Sequence, residues 1–175
     1  MKLVAEPAIQ RPLIIDIEAS GLGRGSYPIE VGVALPDGDC YCTIICPEDE
    51  WRHWDHSAEQ LHGITRPTLL AHGRAVKEVA QVLNEYIGGG VAYSDGWGND
   101  ISWLALLFEA AGVSQHFKLD SLRSIMSQAQ ADIWHQVKDQ VIADCHFRRH
   151  RASNDAQILQ QTYWRSHQLT TTQSR

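Results

Sequence analysis

The 175 residues suffice for one domain of ordinary size and fall short of two comfortable ones. A hydrophobic share of 43% allows a proper core and excludes disorder for the bulk of the chain. With 15 basic and 21 acidic residues the formal net charge is −6, so a nucleic acid would have to be gripped by a local patch rather than by bulk attraction.

The elements follow in chain order. Residues 12–18 (PLIIDIE) form an almost continuous apolar run, as a strand covered on both faces should. A loop punctuated by Gly21, Gly23 and Gly25 leads to a second strand over 29–35, and Asp37-Gly38 turns the chain into a third over 40–46. Residues 51–71 read as loop with short helical pieces. Val76, Val79, Ala80, Leu83 and Ile87 keep helical spacing, which predicts a helix over 74–87 closed by Gly88-Gly89-Gly90. A short strand over 91–93 and a helix over 100–111, apolar on most sides and stopped by Gly112, come next. A short strand near 117–119 and helices over 121–128, 131–144 and 154–166 complete the pattern. The boundaries expected are an extension over 1–10, one domain over 11–167 and a flexible polar tail over 168–175.

This β-β-β-α-β-α order predicts an α/β fold with a mixed sheet, because hairpins are antiparallel and the later crossover is parallel. Apolar runs such as 101–108 fall far short of the roughly 20 residues of a membrane span. The segment Met1 to Pro7 has no long apolar stretch before its first acid and proline, so no secretory signal and no membrane are expected, and the expected location is the cytoplasm. Cys40, Cys42 and Cys46 share strand parity; they are too close for mutual disulfides and poorly spaced for zinc, so with Cys145 they read as small reduced core residues.

The sharpest chemical feature is Asp16-Ile17-Glu18. Residues two apart on a strand face one side, which brings two carboxylates together about 6 to 7 Å apart at Cα. Such a pair is costly to bury unless cations sit between them, and hard divalent ions suit carboxylate oxygens; exposed acids at a strand end are the plain alternative. The second feature is His150-Arg151-Ala152-Ser153-Asn154-Asp155. Ser153 or Asn154 can cap the following helix, and Asp155 falls in its first turn, where the dipole favours an anion. His150 lies on the entering loop in the basic run Arg148-Arg149-His150-Arg151, as a group facing Asp155 or as a surface residue. The third is Asp100, which opens the apolar helix after Gly96-Trp97-Gly98-Asn99, either as a cap or as a carboxylate turned to the sheet. Trp51-Arg52-His53-Trp54-Asp55-His56 reads as a loop over the sheet edge. The helix carrying Trp134 and Val137 offers a homodimer surface or a half-buried face.

Taken together, Asp16/Glu18, Asp100 and His150-x4-Asp155 resemble the three-part signature of the DEDDh 3′→5′ exonucleases, which include proofreading subunits of bacterial replicases, ribonuclease T and oligoribonuclease. Matching stretches are residues 14–22 (IIDIEASGL), 29–33 (IEVGV), His62-Gly63-Ile64-Thr65 and His150-Arg151-Ala152 followed by Asp155-Ala156. The resemblance runs from about residue 13 to 164. The chain departs from the pattern at Ala19-Ser20, where Thr-Thr or Thr-Ser is common. It departs again before Asp100, where Asp95, Gly96 and Asn99 replace a His-Asn pair and an aromatic. Asp95 is thus an extra acid beside the site, or a rival of Asp100.

The resemblance implies a ribonuclease H-like fold, with a five-stranded mixed sheet flanked by helices, and two Mg²⁺ or Mn²⁺ ions. Asp16 would bridge both ions, Glu18 and Asp155 would complete the shell of one, and Asp100 would help hold the other. His150 would serve as general base, since an imidazole ordinarily titrates near about 6.5. It also implies that the backbone after Glu18, at Ala19, reaches the terminal sugar and that Leu22 wedges beside the last base. Arg151, with its basic neighbours, would meet phosphate, and Trp97, Trp103 and Tyr27 are the stacking candidates, Trp103 reading more as core. The expected partners are single-stranded DNA or RNA 3′ ends, or short oligonucleotides. An inactive nuclease-fold scaffold and a phosphodiesterase of dinucleotides or other small substrates are the other readings.

Overall fold

The computed structural model describes residues 11–172; the expected extension over 1–10 lies outside the described residues, as do 173–175. Strands β1 (Ile14–Ala19), β2 (Pro28–Ala34) and β3 (Cys40–Ile44) form the antiparallel meander. Two short helices, α1 (His56–His62) and α2 (Arg66–His72), precede α3 (Val76–Ile87) and β4 (Val91–Ser94). Then come α4 (Trp97–Ala111), β5 (Lys118–Ser121), a 3-10 turn over Leu122–Ile125, α5 (Gln128–Cys145) and α6 (Ala152–Thr172). The sheet has five strands in the order β3-β2-β1-β4-β5, with β4 and β5 parallel to β1. It is the mixed, helix-flanked α/β sheet of the ribonuclease H-like type, with β1 at its centre.

The two faces of β1 bury different things. Ile15 and Ile17 pack into the large cluster with α3 and α4, whereas Ile14 packs with Ala156, Leu159 and Tyr163 of α6. By strand parity Asp16 and Glu18 share Ile14's side and look toward α6. Helix α6 is able to come that close because β2 carries Gly32 opposite Asp16; a Cβ there would meet the Ala152 carbonyl carbon at 2.2 Å. A register shift between Glu18 and Ala19 then breaks the regular β1–β2 pairing beside the acids, the local irregularity by which sheets re-aim side chains.

Four expectations need correction. Helix α4 begins at Trp97, not 100, with Gly96 as its N-cap. The helix expected over 121–128 is the end of β5 plus the 3-10 turn, and α5 starts at Gln128 because Ser127 and Gln130 form a complete capping box. Helix α6 spans Ala152–Thr172 rather than 154–166 and takes up 168–172 of the expected tail. There the hydroxyls of Thr171 and Thr172 bond back to the carbonyls of His167 and Gln168 at 2.7 and 2.8 Å. Lastly, the cysteines are free but not core: β3 is an edge strand, so Cys40 and Cys42 are exposed, and Cys46 and Cys145 are half-buried. No helix of the described residues is long and apolar enough to cross a membrane.

Candidate active site

The two carboxylates of β1 are poorly compensated. Burial, followed by the charges of Asp100, Glu18 and Asp155, pushes Asp16 well above the usual carboxylate range. Glu18 is raised to about 7, first by burial and then by Asp155 and Glu30. Asp100 also reaches about 7 through burial; it is 3% exposed at the first turn of α4 and accepts the Ser94 hydroxyl at the end of β4. It does not cap its helix. Asp95 is exposed, pairs with Lys138 of α5 at 3.1 Å, and adds its charge to the fields on Asp16 and Asp100.

The loop entering α6 is held by a buried acid that the sequence did not advertise. Glu30 on β2 lies opposite Glu18 in the register and is fully buried. Its oxygens accept from Arg151 Nε at 3.1 Å and Nη2 at 2.5 Å, and from the backbone N–H of Ala152 at 2.9 Å. The carboxylate thus satisfies a donor that a helix N-terminus leaves without a partner. Arg151 was expected at a substrate phosphate; the structure instead gives its guanidinium to Glu30, where it also lowers the Glu18 pKa. Ser153 and Asn154 do not supply the cap. Asp155 reaches back to the His150 N–H at 2.7 Å, and its second oxygen takes Arg149 Nε at 2.8 Å. His150 sits in the left-handed region at φ 62°.

Replacing Glu30 with Gln keeps the shape and removes the charge beneath the loop. The expected cost is about 2 to 3 kcal/mol, less than for a wholly buried pair because Arg151 reaches solvent. Urea denaturation reads the shift, and an unchanged midpoint would mean that the pair does not anchor the loop.

As a result, ligand atoms of Glu18, His150 and Asp155 lie within 4.8 Å of one another. Of the carboxylates in the cluster, Asp16, Glu18 and Asp100 have no ion pair among the described residues. Oxygen donors with raised pKa values and no cation of their own suit a hard divalent ion, so the residues present fit the expected metal.

Beside the acids opens a cleft of about 250 Å³ lined by Glu18, Ala19, Leu22, Leu61, Trp103 and His150. Ala19 and Leu22 both line this cleft, and Leu22 is 69% exposed. Trp97 is not among the lining residues; its indole N–H donates to the Leu119 carbonyl at 3.2 Å. Trp103 lines the cleft in its stead, with its indole N–H on the Ser26 hydroxyl at 2.9 Å. Tyr27 is core, stacked on Trp51. His62, from the matching His-Gly-Ile-Thr stretch, is buried, yet it too lines the cleft. Its Nδ1 accepts the Ile64 N–H at 3.0 Å, so the ring proton rests on Nε2, which has no protein partner among the described residues. The His-Gly-Ile-Thr stretch was the available signal for that position.

No family model and no curated protein sequence matches this chain. Solved structures do. The zinc-bound complex of E. coli Exonuclease I with single-stranded DNA aligns with a TM-score of 0.66 at 14% identity, over 90% of this chain and 40% of that one. E. coli Exonuclease I with a dA16 oligonucleotide aligns with a TM-score of 0.64 at 14% identity, over 91% and 42%. Exonuclease I from Methylocaldum szegediense aligns with a TM-score of 0.63 at 11% identity, over 83% and 38%. The chain therefore spans about two fifths of the length of these structures, and its fold is similar to that part of Exonuclease I.

Proposed function

We propose that this protein is a divalent-metal-dependent 3′→5′ exonuclease of the DEDDh type, releasing nucleoside 5′-monophosphates from single-stranded 3′ ends. The observation that carries the reading is the convergence of Glu18, His150 and Asp155 within ligand distance beside a nucleoside-sized cleft, with Asp16 and Asp100 in the same field. The fold similarity to structures of Exonuclease I bound to single-stranded DNA supports it.

In this reading Asp16, Glu18, Asp100 and Asp155 hold two Mg²⁺ or Mn²⁺ ions. When bound, two such ions supply a hydroxide nucleophile at neutral pH and charge relief on the phosphate and leaving oxygens. The chain's own residues do the rest. His150, fixed through its backbone N–H on Asp155, takes the proton of the attacking water at a ring nitrogen. Leu22 and Leu61 flank the terminal base, and Trp103 and His62 close the cleft wall. The Ala19 backbone meets the terminal sugar.

A panel of 5′-labelled substrates tests the proposal: single-stranded DNA and RNA, duplex and dinucleotide, with Mn²⁺ and with EDTA. The expected result is a ladder shortened from the 3′ end and nucleoside 5′-monophosphate, only with metal. Absence of any metal-dependent product indicates a scaffold, and cleavage confined to dinucleotides indicates the small-substrate phosphodiesterase.

A further inference from the structure

A second pocket opens on the far side of the acid cluster. It has a volume of about 260 Å³ and is lined by Asp95, Ser121, Arg123, Met126, Trp134 and His135, among others. It adjoins the acids through two links. Ser121 pairs in the β4–β5 ladder with Ser94, whose hydroxyl binds Asp100, and Asp95 contributes its charge to both Asp16 and Asp100. Glu18 and His150 border the first cleft. Both pockets, of nearly equal size, thus adjoin the carboxylates.

The lining has the chemistry of a nucleotide subsite. Trp134 of α5 is half-buried against the cluster that holds Leu122, Leu159 and Tyr163, and its indole N–H makes no hydrogen bond among the described residues. This gives an aromatic face with an open donor, of the kind on which bases stack. A cation stands beside it. The exposed Arg123 is steadied by the Met126 carbonyl and Gln128 Oε1, both at 3.0 Å, with guanidinium N–H groups left over. His135 lines the wall, and Lys138 offsets the charge of Asp95 at 3.1 Å. In a chain of net charge −6, an arginine with spare donors next to a tryptophan is a local attraction for phosphate.

We propose that this pocket is a second nucleotide subsite, which takes the nucleoside on the 5′ side of the phosphate held at the acid cluster, with Trp134 as its stacking platform. The inference rests on the nuclease reading, in which the first cleft takes the 3′-terminal nucleoside. A strand lying across the carboxylates then fills both pockets, and a nucleoside monophosphate fills only the first.

The test compares two ligands in Ca²⁺, which keeps the metal charge without rapid turnover: a nucleoside 5′-monophosphate and a single-stranded oligonucleotide. Trp134→Leu should weaken oligonucleotide binding about 10-fold and leave monophosphate binding unchanged. Trp134→Phe should restore most of the loss, because it keeps a ring. Arg123→Gln, at an exposed position, should weaken the oligonucleotide alone and flatten its salt dependence. Oligonucleotide affinity unchanged in both Trp134→Leu and Arg123→Gln overturns the subsite while leaving the nuclease reading intact. Equal weakening of both ligands in Trp134→Leu, not rescued by Phe, also overturns it and makes Trp134 a packing residue. A parent chain that binds neither ligand overturns the nuclease reading itself.

Discussion

Asp16→Asn should abolish metal-dependent turnover and weaken Mn²⁺ binding, yet the metal-free variant should be more stable than its parent at neutral pH. Asp16 is raised well above the ordinary range by burial and by four neighbouring acids, Asp100, Glu18, Asp155 and Asp95, so each charge in the cluster works against its neighbours. The sign follows from linkage. An acid whose folded pKa lies above its unfolded value is more protonated in the folded state, so stability falls as pH rises between the two. For Glu18 that window runs from 4.5 to about 7. As these acids ionise with rising pH the metal-free parent accumulates their mutual repulsion, and the variant lacks one of its members. Thermal melts in EDTA should show the variant ahead by on the order of 5 °C at pH 8, with a smaller gap at pH 5. A variant that melts below its parent at pH 8 would mean that these carboxylates do not repel one another, and unchanged Mn²⁺ binding would move the metal elsewhere.

His150→Ala should keep Mn²⁺ and nucleotide binding and lose roughly 10²- to 10⁴-fold in turnover, the usual contribution of a positioned proton acceptor. The structure gives this residue two possible roles, because its ring nitrogen lies within ligand distance of Glu18 and Asp155. The variant separates them. A base leaves metal affinity intact, whereas a ligand takes part of it away. Only neutral imidazole accepts a proton, so the parent rate should fall in acid. Protonation of the carboxylates also weakens metal binding in acid, so the comparison is made at saturating Mn²⁺, where the variant should lack the histidine limb. Turnover close to the parent's would remove His150 from the chemistry.

What could be read from the residues was set by local spacing. The apolar run around Asp16 and Glu18 placed both acids on one face of a buried strand, and the structure turns that face toward α6. The fold class followed from the order of hairpins and crossover. What escaped depends on partners distant in the chain. Glu30 sits in an ordinary apolar alternation, and its partner Arg151 lies 121 residues away, so neither shows the ion pair by itself. The exchange of Trp97 for Trp103 is a matter of phase. Helix α4 starts three residues earlier than the apolar pattern shows and so takes in Trp97, which six residues of helical rotation set on a different side from Trp103. The cysteines were misplaced because strand parity gives the face of a residue but not whether its strand is central or, like β3, at the edge.

We propose that Asp16, Glu18, Asp100 and Asp155 form one metal site serving the cleft beside Leu22, and anomalous diffraction from crystals grown with Mn²⁺ and a nucleoside 5′-monophosphate tests this. Manganese should appear on oxygens of Asp16, Glu18 and Asp155, with the phosphate against the metal and the nucleoside in the cleft beside Leu22 and Trp103. Manganese bound away from these carboxylates, or Asp16 and Asp155 too far apart to share an ion, would contradict it.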